Sequence, residues 1–182
     1  MSNFLGRKDL SRGIRNNNPG NLRMTKNNWQ GKIPYDKNKD ANKAFEQFET
    51  MQFGIRAMLR NLVTHIDRGE NTIRKLITTY APPVENNTEL YIKQVASAVG
   101  LTPDATIKKV DSTMLFLLAK AIIKKENGQD AKYVSDSDIT DSISKLGSFD
   151  VANITVDTSK KISLAFIMGL LLFLYTVLIV SV

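Results

Sequence analysis

The sequence predicts a mainly α-helical domain with a small hairpin or irregular asparagine-rich lobe, followed by one C-terminal transmembrane helix. Three observations predict it. Apolar residues recur at helical spacing in stretches between Met51 and Glu126, and residues 14–50 lack that spacing and are rich in asparagine and turn formers. The last twenty-one residues, Ile162 to Val182, carry no charged side chain.

Residues 14–50 read as irregular chain with a small hairpin. Pro19 and Gly20 fit the centre of a type II turn between Asn18 and Asn21, proline presetting φ and glycine supplying positive φ. Phe45 and Phe48 would pack this lobe onto the helices. From Met51, the apolar residues Ile55, Leu59, Leu62, Val63 and Ile66 form one face of a helix that Thr50 can cap and Gly69 can end. A second helix follows Asn71 with Ile73, Leu76, Ile77 and Tyr80 on one face, stopped by Pro82 and Pro83. A third runs from about Thr88 to Val99, closed by Gly100. Thr102, Pro103 and Asp104 have the order of a cap, a first-turn proline and a first-turn acid, which predicts a short helical turn. The longest helix, Ser112 to about Glu126, points Leu115, Leu118, Ala119 and Ile122 inward, and Leu117 and Ile123 widen that face enough to predict a central, buried helix. After Asp130 the chain turns to Ser, Thr and Asp. One more short helix near Asp138 to Leu146 is expected, then a flexible linker to Lys160.

Charge divides the chain in the same way. Residues 1–129 hold 21 Lys and Arg against 12 Asp and Glu, whereas residues 130–159 hold 2 against 6. The expected organisation is therefore a basic domain at 1–133, a short helix and acidic Ser/Thr/Asp linker at 134–159, and an anchor at 160–182. At about 1.5 Å per residue the anchor spans roughly 30 Å, the thickness of a bilayer's hydrocarbon core. Lys160 and Lys161 in front of it predict a domain on the cytoplasmic side. No apolar run follows Met1, so no secretory signal is expected. A basic surface suits an anionic partner such as nucleic acid, lipid headgroups or bacterial wall polymers. No recognisable reading motif accompanies the charge, so no specific nucleic acid is expected.

The inventory of reactive side chains is short. One histidine and no cysteine exclude a thiol protease, a cysteine- and histidine-dependent amidase and a multi-histidine zinc site. His65 falls inside a helix near its apolar face, as a packing or surface histidine would. There is no phosphate-binding glycine loop, and neither a cofactor nor a metal is expected. Carboxylate chemistry, or binding without chemistry, remains. Glu126 ends the widest apolar helix just before Asn127-Gly128, where the negative helix dipole and partial burial disfavour an ionised carboxylate. A protonated glutamate is what donation to a glycosidic oxygen requires. Position alone also fits a solvated glutamate paired with Lys124 or Lys125. Glu85, after Pro82-Pro83, is the second candidate, and position alone equally allows an ordinary loop acid.

Five pieces then occur in order: GIRNNNPGNLR (Gly13 to Arg23), Trp29-Gln30-Gly31, the F-x-x-F and G-I-R-A-M pieces from Phe45 to Met58, YAPPVENNTELY (Tyr80 to Tyr91) and KKENGQ (Lys124 to Gln129). Together they resemble phage and prophage structural proteins regarded as lysozyme-like peptidoglycan-cleaving enzymes, over roughly residues 12–133. The segment Ile122 to Asp136 is similar to that around the acid of lytic transglycosylases, with Asn127 in place of a serine. The asparagine-rich turn and the tyrosine-bearing loop look like those of wall glucosaminidases, although here the acid follows the turn instead of preceding it.

The resemblance implies a lysozyme-like α+β fold and a muramidase or lytic transglycosylase that cuts the glycan backbone of peptidoglycan between N-acetylmuramic acid and N-acetylglucosamine during infection. It makes Glu126 the acid and Glu85 its partner in a hydrolase. Asn17, Asn18, Asn21, Trp29, Tyr80 and Tyr91 become sugar contacts, since aromatic faces stack on sugars and amides bond N-acetyl groups. The same asparagines and aromatics also suit a purely structural turn and core. With the anchor, the expected location is a virion's internal membrane, and the host cytoplasmic membrane during assembly. Capsid or vertex proteins are then potential partners. The alternative is a catalytically inactive, membrane-anchored virion structural protein on the same scaffold.

Overall fold

Four of the helices begin at a side-chain cap. Thr50 and Thr72 accept hydrogen bonds from the backbone N–H groups of Phe53 and Lys75, Asp111 accepts from Met114, and Ser135 forms a reciprocal capping box with Asp138. Each such cap stabilises its helix by about 1 kcal/mol. The computed structural model describes residues 2–81, 88–159 and 162. In chain order the helices are α1 (Arg12–Arg15, one turn), α2 (Met51–Asp67), α3 (Ile73–Tyr80), α4 (Thr88–Ala98), α5 (Ser112–Asn127) and α6 (Asp136–Ser144). Two short strands, β1 (Lys109–Asp111) and β2 (Thr155–Asp157), pair in parallel with Val110 opposite Val156. The described fold is mainly α-helical.

The apolar stripe of α2 is fully buried at Ile55, Leu59, Leu62, Val63 and Ile66. Burying each of these side chains is worth roughly 1.5–3 kcal/mol relative to exposure. On α5 the run Leu115 to Ala119 is buried all round, because α1, α2, α4 and α6 all pack on it. That is the central helix its wide apolar face predicts. The helix after Asp136 also packs on α2 and α5, so it is part of the body.

Three local expectations give way to other solutions. Residues 22–48 form no regular hairpin: two isolated antiparallel bridges, Arg23 to Phe45 and Lys32 to Phe48, hold the lobe. Left-handed residues at Asn21, Asn42 and Lys43 keep the chain from running as straight strands. The Pro19-Gly20 turn closes by Asn21 N–H to the Asn18 carbonyl at 2.9 Å, but the positive φ falls on Asn17 and Asn21, each at 49°, so the type II assignment is corrected. Gly20 is required for room instead. A Cβ there would collide with the Tyr80 hydroxyl and the Met58 side chain. Thr102 to Ala105 makes one turn, closed by Ala105 N–H to the Thr102 carbonyl at 3.2 Å, and no helix follows.

Residues 146–157, whose composition reads as linker, pack back onto the body. The Arg56 and Arg60 guanidiniums donate to the carbonyls of Lys145, Leu146 and Ser148. The Asp67 carboxylate accepts from the N–H groups of Ala152 and Asn153, and β2 then joins β1. The partly buried Phe149, Val151, Ile154 and Val156 supply the apolar contact. Among the described residues no helix is long and apolar enough to cross a membrane. The expected anchor lies, apart from Ile162, outside the described residues.

Candidate active site

The site is assembled where the end of α5 meets the asparagine-rich turn. Gly128, at φ 56°, ends α5 and returns its N–H to the Lys124 carbonyl. The last turn therefore presents Asn127 inward and Glu126 beside it. Asn127 is buried and acts as a clamp: its Nδ2 donates to the Pro19 carbonyl at 2.7 Å and the Ile123 carbonyl at 3.0 Å, while its Oδ1 accepts from the Ser11 hydroxyl at 3.0 Å. Gly54 seats the other side of the turn. Any Cβ on this residue of α2 would overlap the backbone carbonyl of Asn17.

Within the turn the asparagines divide by task. Asn17 is fully buried; its amide donates to the carbonyls of Phe48 and Glu49 and to Asn3 Oδ1, and accepts from Phe4 N–H. Asn18 is also fully buried, bonded to the Leu22 and Glu46 carbonyls and to Leu22 N–H. Their reading as sugar contacts is corrected, because both side chains are fully buried and their amides are spent inside the fold, mostly on backbone groups that would otherwise be buried unpaired. Asn21 alone faces out, and its Nδ2 donates to Glu126 Oε2 at 3.0 Å.

Glu126 is held on its other oxygen by the Tyr91 hydroxyl, which donates to Oε1 at 3.3 Å. Tyr91 is fully buried beneath the carboxyl, so it holds the Glu126 side chain and is not a stacking platform. Tyr80 lines the cleft and donates its hydroxyl to the Gly20 carbonyl, tying α3 to the turn. Burial pushes both tyrosine hydroxyls far above their usual range, with the Glu126 charge adding to it, so both stay neutral donors. Asn21 Oδ1 is buried without a partner, next to the same carboxyl.

A cleft of about 490 Å³ opens over Glu126. Asn21, Tyr80, Asn61 and His65 line it, with Arg12 and Arg23 stacked on the Phe45 ring at 4.5 and 5.2 Å from its centroid. Among the described residues that line it, Glu126 is the only carboxylate. Trp29 lies elsewhere, in a neighbouring groove on the far side of Asn61 and His65. Glu85 lies outside the described residues. No group of three or more His, Cys, Asp or Glu that could hold a metal occurs among the described residues. Sequence reasoning missed two cleft residues on α2: Asn61, and His65, whose Nδ1 is 2.6 Å from Glu70 Oε2. Their i, i+4 spacing beside the apolar stripe was the signal for one shared polar face. Nothing in the local sequence marks Arg12.

No protein-family model matches the chain. It is 34% identical over 124 residues to Protein P5 of Pseudoalteromonas phage PM2, an alignment spanning 66% of this chain and 73% of that protein. The chain belongs to the Protein P5 family. It is thus a relative of a bacteriophage protein, as its motifs led one to expect, but the kinship to lysozyme-like phage and prophage enzymes is corrected. The relationship found is with Protein P5, whereas the quoted motifs describe a turn and a helix end that can be built in unrelated chains.

Proposed function

We propose that this Protein P5 relative cleaves the glycan backbone of bacterial peptidoglycan, with Glu126 as the acid. One observation carries the proposal: a cleft whose described lining holds a single carboxylate, fixed at a helix end by Asn21 and Tyr91. Such a site suits the reaction that needs only one. Glu126 gives its proton to the leaving oxygen on C4 of N-acetylglucosamine as the bond to muramyl C1 breaks. The carboxylate then takes the proton of the muramyl 6-hydroxyl as that oxygen bonds to C1, leaving a 1,6-anhydro sugar. Asn21 and Tyr91 each donate to the carboxylate form and so hold it in place between the two transfers. Hydrolysis would call on a second carboxylate, for which Glu85 is the candidate. Asn21 and Tyr80 at the cleft wall are the proposed sugar contacts, whereas Trp29 sits in the adjoining groove.

The proposed setting is the membrane of a virion. The uncharged run Ile162 to Val182 would anchor the domain there, and the Lys160-Lys161 pair would keep it on the face that was cytoplasmic during assembly. The test is digestion of purified cell wall with the full-length protein in detergent, read by mass spectrometry. The expected products end in 1,6-anhydromuramic acid, and Glu126→Gln abolishes them. Intact cleavage by that variant would remove Glu126 from the mechanism. No cleavage by the wild type, with binding to a capsid protein, would favour an inert structural role.

A further inference from the structure

The cleft over Glu126 does not end at Asn61 and His65. Both residues also line a second groove of about 1140 Å³, between the Asn27–Lys32 segment and α2, which continues toward Leu146. Its lining contrasts with the first. Lys32, Arg56, Arg60 and Arg68 all contribute, and Glu49 is the only carboxylate among its described lining residues. Lys32 is neutralised by the buried Glu46, 2.9 Å away. The arginines are not. Among the described residues no carboxylate comes within ion-pair range of Arg56, Arg60 or Arg68, and the first two spend their donors on backbone carbonyls, which remove no charge. Burial, and after it the neighbouring Arg60 charge, lowers the pKa of Arg56. Uncompensated guanidiniums in a concave site focus a positive potential and favour carboxylate or phosphate groups. Trp29, half buried on the opposite wall, offers an apolar face.

We infer that this groove binds the carboxylate-bearing stem peptide that hangs from the muramyl residue of an uncut wall strand. The inference rests on glycan cleavage at Glu126, and continuity is what selects the occupant. The two grooves share the Asn61 and His65 wall, so a muramyl sugar seated beside that wall would have the root of its peptide between them. An oligonucleotide, the other polyanion a basic groove could take, has no counterpart in the first cleft, where an acid sits at the centre.

The test separates binding from catalysis by using full-length protein carrying Glu126→Gln. Calorimetry compares a wall disaccharide bearing a stem peptide with the same disaccharide stripped of it. At least tenfold tighter binding of the peptide-bearing form is expected, with the difference reduced toward one in Arg60→Gln and in Arg68→Gln. Arg68 is exposed at the groove edge, so its variant keeps the fold even if the Arg60 variant does not. Equal affinity for the two disaccharides, or tighter binding of a single-stranded oligonucleotide than of the peptide-bearing one, would overturn the inference. Cleavage by the wild type decides the other reading separately: wall cleavage with equal affinities would leave Glu126 in place and empty the groove of its role.

Discussion

Gly54→Ala should destabilise the protein, although the usual preference runs the other way. In the interior of a helix, replacing glycine by alanine gains about 1 kcal/mol. At this position the new methyl would overlap the Asn17 carbonyl oxygen, and would lie only 2.9 Å from the Asn17 carbonyl carbon and 3.2 Å from the Asn18 Cα. These are backbone atoms of a turn pinned on its other side by Asn127, so no side-chain rotation relieves the overlap. Overpacking of this kind costs about 1–3 kcal/mol. Pushing the turn outward also stretches the Asn17 amide bonds to Phe48 and Glu49, each worth about 1 kcal/mol. The cost exceeds the propensity gain, for a net loss of roughly 2 kcal/mol or more, and a melting temperature lower by about 4–8 °C for a chain of this size. Circular dichroism or differential scanning fluorimetry of the full-length protein in detergent measures it. A variant that melts at or above the wild-type temperature would refute the claim that α2 seats the turn through Gly54.

Further outcomes follow from the division of labour in the turn. Glycine can adopt the positive φ of both Asn17 and Asn21, so Asn→Gly removes only the amide: Asn17→Gly should lose about 2–3 kcal/mol of stability in urea unfolding, whereas Asn21→Gly should melt near the wild type but cleave wall poorly. Asn127→Ala should cost about 2–3 kcal/mol, since it leaves the Pro19 carbonyl and the Ser11 hydroxyl without their partner; a melting curve unchanged from the wild type would contradict the clamp. Tyr80 and Tyr91 keep their protons in the folded protein at a pH where unfolded tyrosines ionise, near pH 10. A raised folded-state pKa means more protons bound when folded, so their contribution is complete below about pH 10 and is lost as pH rises above it. Urea midpoints should therefore fall above about pH 10, and less steeply in Tyr91→Phe.

The helices were legible because their signals are local. Thr50, the α2 stripe and the wide face of α5 each state a cap or a period within a few residues, and the structure keeps them. The pairing of β1 with β2 was not legible: each strand is three residues long, and partners such as Val110 and Val156 lie far apart in sequence. Phe149 and Val151, and then Ile154 and Val156, are two short i, i+2 pairs out of phase with each other, hidden by a surrounding composition of Ser, Thr and Asp. In the candidate site, Glu126 could be picked out because a glutamate at a helix end before Asn-Gly is locally unusual. Which asparagine would reach it could not, since Asn17, Asn18 and Asn21 are alike in type, and only the backbone path of the turn sorts them.

That path also explains why the asparagine-rich motif is a poor witness to chemistry. Gly13 is close against Asn127, Asn16 bonds Asp40 and Gln47, Asn17 and Asn18 bond backbone, and Gly20 makes room for Tyr80. Almost every residue of GIRNNNPGN is therefore constrained by the shape of a turn that must lie flat on a helix. Any chain that docks such a turn on a helix end will be drawn to the same residues, whether or not it does chemistry there. Within the motif Gly20 and Asn21 line the cleft, followed by Leu22 and Arg23, and of the motif's asparagines Asn21 alone does. The turn is docked against the end of α5, beside Glu126. Two donors from opposite sides of the fold, Asn21 and the buried Tyr91, converge on the two oxygens of Glu126. A surface carboxylate is satisfied by water; one held by fixed donors in a cleft is positioned, and positioning is what a proton transfer in both directions requires.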